Sequence, residues 1–396
     1  ITVENAALDH KKVIERKNKV VRTLAAGVKA KLRQSDVTVV EGAGVVTGMK
    51  TGSERDAAVF EVKIGDEVYT GRRILVATGS EPVLPGLPGV REGLDSGRVM
   101  TNREIFDLKE VPGSLAVIGG GIVGLEMASY FSAAGSRVTV LELLDHVAGP
   151  VDREISGILQ KNLAKRGVEF LLNCRATEIN DRGVVYTSVS DGSGDTKYVD
   201  ADKVLVSIGR RPATEGLGLE NIGVAIERGR IMTDLHGRTN VPGVYAAGDV
   251  NGVSMLAHTA YREAEACIND MLGIEDEIRY NAIPSVIYTD PEVAGVGETE
   301  ESAAEKGIDF VTARLPMTYS GRYAAENERG DGICKVIADR RDMAVIGVHM
   351  IGSYSSEIIY GAAMMIEKGM RVDDLKKVVF PHPTVSEIIK EVMTGF

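Results

Sequence analysis

Three consecutive glycines, then Ile122, Val123 and a fourth glycine, constrain this chain more than any other feature. Gly119-Gly120-Gly121-Ile122-Val123-Gly124 has the spacing GxGxxG and lies between an apolar stretch at 115–118 and a run at 122–134 that reads as a helix. Gly119 permits a tight turn, Gly121 lets backbone approach a pyrophosphate, and Gly124 lets helix and strand pack closely. The helix then points unpaired N–H groups and the positive end of its dipole at whatever occupies the turn. A structural glycine turn would share this spacing. What separates the readings is Glu142, which ends the next apolar strand 18 residues beyond Gly124, where a carboxylate can accept both ribose hydroxyls. That pairing favours NAD over NADP, because Glu142 repels an added phosphate.

The surrounding order extends the argument. Strands at 115–118, 137–141, 168–172 and 204–208 alternate with helices at 122–134 and 154–166, which predicts βαβ units and a parallel sheet. Ahead of them, 5–34 reads as one long helix with Val13, Val20, Val21, Leu24, Val28 and Leu32 at helical spacing. Strands are expected at 37–40, 59–64 and 74–77, with a Pro- and Gly-rich connector at 81–97. A second strand-to-glycine turn, Val244-Tyr245-Ala246-Ala247-Gly248-Asp249, leads into a helix at 257–272. From 283 onward strands at 285–288, 335–338 and 345–351 mix with helices at 355–368 and 384–393, an α+β pattern. At 396 residues the chain needs several cores.

Composition narrows the classes. A net charge of −11 with no basic stripe argues against a nucleic-acid partner. No apolar run reaches the roughly 18 residues of a membrane span. Cys174, Cys267 and Cys334 are widely spaced, with no CxxC or CxxxxC among them, so neither a disulfide framework nor a metal site is expected. A reducing, cytoplasmic setting follows.

Two further places carry chemistry. In Val76-Ala77-Thr78-Gly79 and in 244–249 a hydrophobic strand ends in small residues, over which a bulky group can lie, and Asp249 can bind a polyol hydroxyl or simply cap the next segment. His382 sits between Pro381 and Pro383, and Glu387 follows five residues later, so a His–carboxylate hydrogen bond is feasible. Such a pair orients the imidazole and raises its basicity for proton transfer; a structural loop histidine is the other reading.

Together these motifs, with Glu41-Gly42-Ala43-Gly44, Ala77-Thr78-Gly79-Ser80, Ser207-Ile208-Gly209-Arg210-Arg211-Pro212, Ala246-Ala247-Gly248-Asp249 and the His-Pro-Thr-Val-Ser-Glu ending, resemble the pyridine nucleotide–disulfide oxidoreductase family in order and over essentially the whole chain. The members that oxidise dihydrolipoamide are the nearest in pattern. The resemblance implies an α/β protein with two three-layer Rossmann-like domains, one for FAD and one for NAD, and a C-terminal α+β dimerisation domain. It places the FAD domain at 1–111 and 236–278, the NAD domain at 112–235 and the interface domain at 279–396. It also implies site roles. Gly44 backs the adenine of FAD, Thr78, Gly79 and Ser80 line the flavin, Asp249 holds the ribityl chain, and Met255, Leu256, Ala257 and His258 run beneath the ring. NAD takes Gly119, Gly120, Gly121, Ile122, Val123, Gly124, Leu125 and Glu126, with Glu142 on the ribose and Gly209 close by. Glu126 lies beside the flavin–nicotinamide contact, and His382 and Glu387 form an acid–base dyad reaching the partner subunit's disulfide site.

The family also implies a preceding strand–GxGxxG–helix for the FAD pyrophosphate and a helix bearing CxxxxC. Ile1 falls where the family resumes after that disulfide, so roughly one hundred residues, about a small domain, are expected ahead of it. The implied activity is oxidation of dihydrolipoamide to lipoamide, with electrons passing through that disulfide and FAD to NAD. The implied partners are a second copy of the chain and the lipoyl domains of 2-oxoacid dehydrogenase or glycine cleavage complexes. Rival readings are a mercuric or glutathione reductase-like member, a soluble transhydrogenase, or a truncated non-catalytic NAD-binding dimer module. Glu142 disfavours the NADP users, and Met393-Thr394-Gly395-Phe396 lacks the cysteine pair of mercuric reductases. Many lipoamide-oxidising members carry a larger residue at the place of Gly295.

Overall fold

A computed structural model describes residues 4, 6–50, 58–190, 194–328 and 330–396. The chain divides into two compact units, each built from separate stretches.

The first unit takes 9–83 and 210–279. It opens on the helix His10–Gln34, capped by the Asp9 side chain, which accepts from the Lys12 amide at 3.2 Å. The sequence start at Asn5 lies outside the described residues. Val20, Val21, Leu24 and Val28 are exposed, so the apolar stripe is not a core face here. The helix stands on its own ladder of bonds, its cap, and a composition of strong helix formers over 25 residues. Strands Gly44–Lys50, Val59–Ile64 and Glu67–Gly71 form an antiparallel sheet with a bulge between Val46 and Gly48. The strand expected at 37–40 does not form, and Val37, Val39 and Val40 are exposed. Apolar β-formers need a ladder partner to become a strand, and no described strand pairs with them. Two short pairs complete the frame: Ile74–Val76 parallel to Val244–Ala246, and Ser80–Pro82 antiparallel to Arg210–Pro212. Val46, Phe60, Val76, Leu219, Ile231 and Val244 fill its core.

The second unit takes 84–209 and 280–396, with the described residues ahead of Asp9. Its first half is a parallel sheet in the order Val99–Met100, Lys203–Val206, Ser114–Ile118, Arg137–Leu141, Glu169–Leu171. Strand periodicity sorts the side chains onto two faces. Leu115 and Val117 pack with Leu125, Phe131 and Leu159 from the helices Ile122–Ala133 and Arg153–Lys165. Ala116 and Ile118 pack with Tyr186 and Val184 from an antiparallel meander, Cys174–Asn180, Gly183–Ser188 and Thr196–Asp200. Three layers result. The second half is an antiparallel sheet in the order Ser285–Ile287, Val293–Gly297, Val345–Ile351, Ile333–Asp339, Phe310–Pro316. Helices Ser355–Glu367 and Glu387–Met393 cover it, with Ile359, Ala362, Ile388 and Val392 in the core. The last helix starts at Glu387 rather than 384, where Thr384 Oγ1 donates to the Pro381 carbonyl at 2.7 Å and lies 2.9 Å from Ser386 Oγ, local side-chain bonds that compete with a helical turn. Among the described residues no helix is long and apolar enough to cross a membrane.

Candidate active site and cofactor sites

Gly119 and Gly124 of the loop at 119–124 each have a separate steric reason, and Gly121 has none. Gly119 has φ +104°, and a Cβ there would meet the Ser207 carbonyl oxygen at 2.3 Å. At Gly124 a Cβ would meet the Gly119 carbonyl oxygen at 2.2 Å, so the helix can approach its strand only without a side chain. At Gly121 nothing lies within 4 Å; this position opens outward at the N-cap of the helix. The amides of the helix's first turn have no intrahelical acceptor and suit an anion. Ile122 and Val123 are half-buried in that turn, and Leu125 is fully buried behind it.

Glu142 is oriented by backbone. Its Oε2 accepts from the Gly120 amide at 2.6 Å and its Oε1 from the Leu144 amide at 2.9 Å. Gly119, Gly121, Glu142 and Gly209 line one cavity of about 660 Å³, together with Gly149 and Arg175. The volume and the open glycine turn fit a dinucleotide. Glu126 turns away from this cavity and accepts from the Tyr288 amide at 2.9 Å. Burial pushes its carboxyl above the ordinary 4.5, partly offset by that hydrogen bond.

In the other unit Ser80 donates to Asp249, and Arg210 ties the two together. Its Nε donates to Ser80 Oγ at 2.7 Å and stands 3.9 Å from Asp249 Oδ2, while a terminal nitrogen donates to the Ser80 carbonyl at 2.7 Å. The pairing of 80–82 with 210–212 sets this geometry. Thr78 Oγ1 donates to the Ala213 carbonyl at 2.8 Å, and Gly79, with φ +73°, accepts from the Ala213 amide at 2.9 Å. Asp249 follows Gly248, whose amide donates to the buried Glu263 at 2.5 Å. A fixed carboxylate at a strand end suits a polyol chain, so the donor set agrees with the ribityl part of FAD. Met255 and Leu256 are half-buried, and Ala257 and His258 are exposed at the start of Ala257–Met271. Gly44 opens its strand on the separate three-stranded sheet. Arg210 was not singled out from sequence beyond its place in 207–212; its strand pairing is what gives it a role.

His382 and Glu387 meet in the C-terminal half. His382 Nδ1 lies 2.9 Å from Glu387 Oε2, with the His side chain 79% exposed and the carboxylate 11% exposed. Glu387 belongs to the first turn of the last helix, whose apolar face is held in the core. A rigid carboxylate thus holds an exposed imidazole. The cysteines are buried, and burial pushes the Cys267 and Cys334 thiols up to about 12.

Comparison with known proteins identifies the family. The profile of the pyridine nucleotide-disulphide oxidoreductases matches residues 2–264, and that of their dimerisation domain matches 283–393. The chain is 36% identical over 394 residues to the dihydrolipoyl dehydrogenase of Geobacillus stearothermophilus, covering 99% of this chain and 81% of that one. It is 37% identical over 398 residues to the mitochondrial dihydrolipoyl dehydrogenase of Sus scrofa, covering 99% and 76%. Among solved structures, LpdA from Mycobacterium tuberculosis aligns with a TM-score of 0.86 at 28% identity, over 98% of this chain and 84% of that one. The HOCl-induced flavoprotein disulfide reductase RclA from Escherichia coli aligns with a TM-score of 0.85 at 28% identity, over 98% and 86%.

Proposed function

The chain belongs to the pyridine nucleotide–disulphide oxidoreductase family, an FAD-dependent and NAD-linked class, and on that premise we propose that it oxidises dihydrolipoamide to lipoamide. The observation that carries the reading is the His382–Glu387 pair at 2.9 Å, an exposed base with a fixed carboxylate behind it. In the overall reaction a dithiol loses two electrons and two protons, an S–S bond forms, NAD takes a hydride and one proton is released.

His382 handles the thiol proton. With Nδ1–H donated to Glu387, the Nε2 lone pair faces outward and makes no hydrogen bond among the described residues, so it can accept a proton from an approaching thiol. The thiolate formed is the nucleophile that opens a disulfide. Cys174, Cys267 and Cys334 are not that disulfide, since all three are buried thiols that form no disulfide among the described residues. When bound, FAD relays the electron pair from thiols to NAD. Ser80, Arg210 and Asp249 would hold it on one side, and Gly119, Gly121 and Glu142 would hold NAD.

The domains divide as 1–111 with 236–278 for flavin, 112–235 for NAD, from which Arg210 reaches the flavin side by pairing with 80–82, and 279–396 for the subunit interface, and the working form is a homodimer. The matched dimerisation domain supports this. The dihydrolipoyl arm comes from lipoyl domains of a 2-oxoacid dehydrogenase or glycine cleavage complex, in the cytoplasm. The test is an absorbance scan of the protein expressed from its own gene, followed by dihydrolipoamide and NAD. Flavin bands that bleach, with NADH formed, are expected. A flavin-bearing protein that ignores dihydrolipoamide yet reduces glutathione disulfide or mercuric ion would sink the substrate assignment, and a colourless NAD binder would sink the catalytic one.

A further inference from the structure

Of the residues lining the dinucleotide cavity only Glu142 and Arg175 are charged, and they are charged oppositely. They share the cavity without pairing. Both Glu142 oxygens are already taken up by the amides of Gly120 and Leu144. Arg175 is exposed, and its guanidinium has no ion pair or hydrogen bond among the described residues. The backbone that carries it is nonetheless fixed. Cys174, immediately before it, donates its amide to the Glu142 carbonyl at 2.9 Å, and the Arg175 backbone is in register with Thr187 across the meander. The strand carrying the guanidinium is therefore stitched to the backbone of the ribose-binding glutamate.

A guanidinium carried on a cavity-lining strand with its donors unspent offers little to a neutral ribose hydroxyl. To a ribose phosphate it offers a charge-assisted, two-pronged contact. We propose that Arg175 is a specificity-determining residue, a counter-charge to Glu142 that lets this cavity admit the 2′-phosphorylated dinucleotide. Glu142 sets the preference for NAD, and Arg175 narrows it. The inference rests on the reading that a nicotinamide dinucleotide occupies the cavity.

The experiment measures equilibrium binding of NADH and NADPH by fluorescence in the intact protein and in R175Q, R175K, E142Q and E142Q/R175Q. Adenosine 2′,5′-bisphosphate is titrated by calorimetry as the phosphate probe. R175Q is expected to weaken NADPH about tenfold while moving NADH by less than about threefold, the size of losing one hydrogen bond to a charged group. R175K should keep most of the NADPH affinity. E142Q should strengthen NADPH by about tenfold, and the double variant should lose that gain. An NADPH-to-NADH affinity ratio that R175Q leaves unchanged overturns the proposal, as does an E142Q/R175Q protein that binds the bisphosphate as E142Q does. Loss of both cofactors alike in R175Q, with R175K also affected, assigns Arg175 to folding and overturns it too. An unmodified protein that binds no NADH overturns the cavity reading itself, a separate result.

Discussion

Burial of a carboxyl group opposes its ionisation, and Glu126 is held where this matters. Its folded value is raised by burial, so the protonated form contributes stability fully below the ordinary 4.5, and that contribution is lost as pH rises through the raised value. Glu126→Gln keeps an acceptor for the Tyr288 amide and removes the ionisation. The variant should therefore melt higher than the parent near neutral pH, with the difference vanishing in mild acid. A pH series of calorimetric melts reads this, and a difference independent of pH would refute it. At the same scale the proposed chemistry rests on His382. His382→Gln should lower dihydrolipoamide turnover by about 10²–10⁴-fold, the usual worth of a positioned proton acceptor, with Glu387→Gln losing less. Steady-state rates with dihydrolipoamide check it, and a His382→Gln enzyme within about threefold of the parent would remove the imidazole from the mechanism. Both residues were legible because Pro381 and Pro383 mark the loop and Glu387 follows within reach. Arg175 was not, since nothing in Cys174-Arg175-Ala176 says that this strand borders the nucleotide cavity. The small residue at 295 has a local cause: a Cβ on Gly295 would meet His349 Nδ1 at 2.6 Å, in a buried ring whose Nε2–H donates to the Glu298 carbonyl at 2.7 Å.

At the level of elements, pattern told more than partnership. The strand expected at 335–338 forms, as Ile333–Asp339, but its lysine holds two halves of the second unit together. Lys335 is 1% exposed and lies 2.9 Å from Asp152, 2.7 Å from Glu300 and 3.0 Å from Glu154, the last as an ion pair without hydrogen-bond geometry. Burial pushes its ammonium down, but the hydrogen bonds to the carboxylates outweigh this and hold it above the ordinary lysine range. Asp152 is fully buried and also caps the helix Arg153–Lys165, accepting from the amides of Glu154 and Ile155 at 3.1 Å. Lys335→Met leaves Asp152 charged and short of its partner, and should cost about 3–5 kcal/mol in denaturant unfolding. Lys335→Met with Asp152→Asn should recover part of that loss. A single variant that unfolds like the parent would mean the cluster contributes nothing. No periodicity rule finds such a contact, because Lys335 lies 183 residues from Asp152 and 35 from Glu300. The glycine loop was legible for the opposite reason: Gly119, Gly121 and Gly124 act within one turn and the strand beside it.

For the molecule as a whole, the division into units decides how ligands act on stability. One unit carries the cavity proposed for the dinucleotide and the other carries Ser80, Arg210 and Asp249. The alternation of strands and helices from 115 to 208 made the first legible. The second is assembled from stretches more than a hundred residues apart; the motif order pointed to a return at 236–278, whereas the compact unit joins 210–279 to 9–83, because 210–212 pairs with 80–82. A ligand that binds the folded form alone adds RT ln(1 + [L]/Kd), ~2.7 kcal/mol at about one hundred times Kd. If the units unfold separately, NADH raises one calorimetric transition and flavin raises the other. The unit of Ser80 and Asp249 should melt first, because its long helix leaves Val20, Val21, Leu24 and Val28 in water and lends it little buried apolar area. A scan of the protein with each ligand alone distinguishes the cases. Selective shifts are the expected result, whereas one transition moved equally by both ligands would mean that the two units unfold as a single cooperative body.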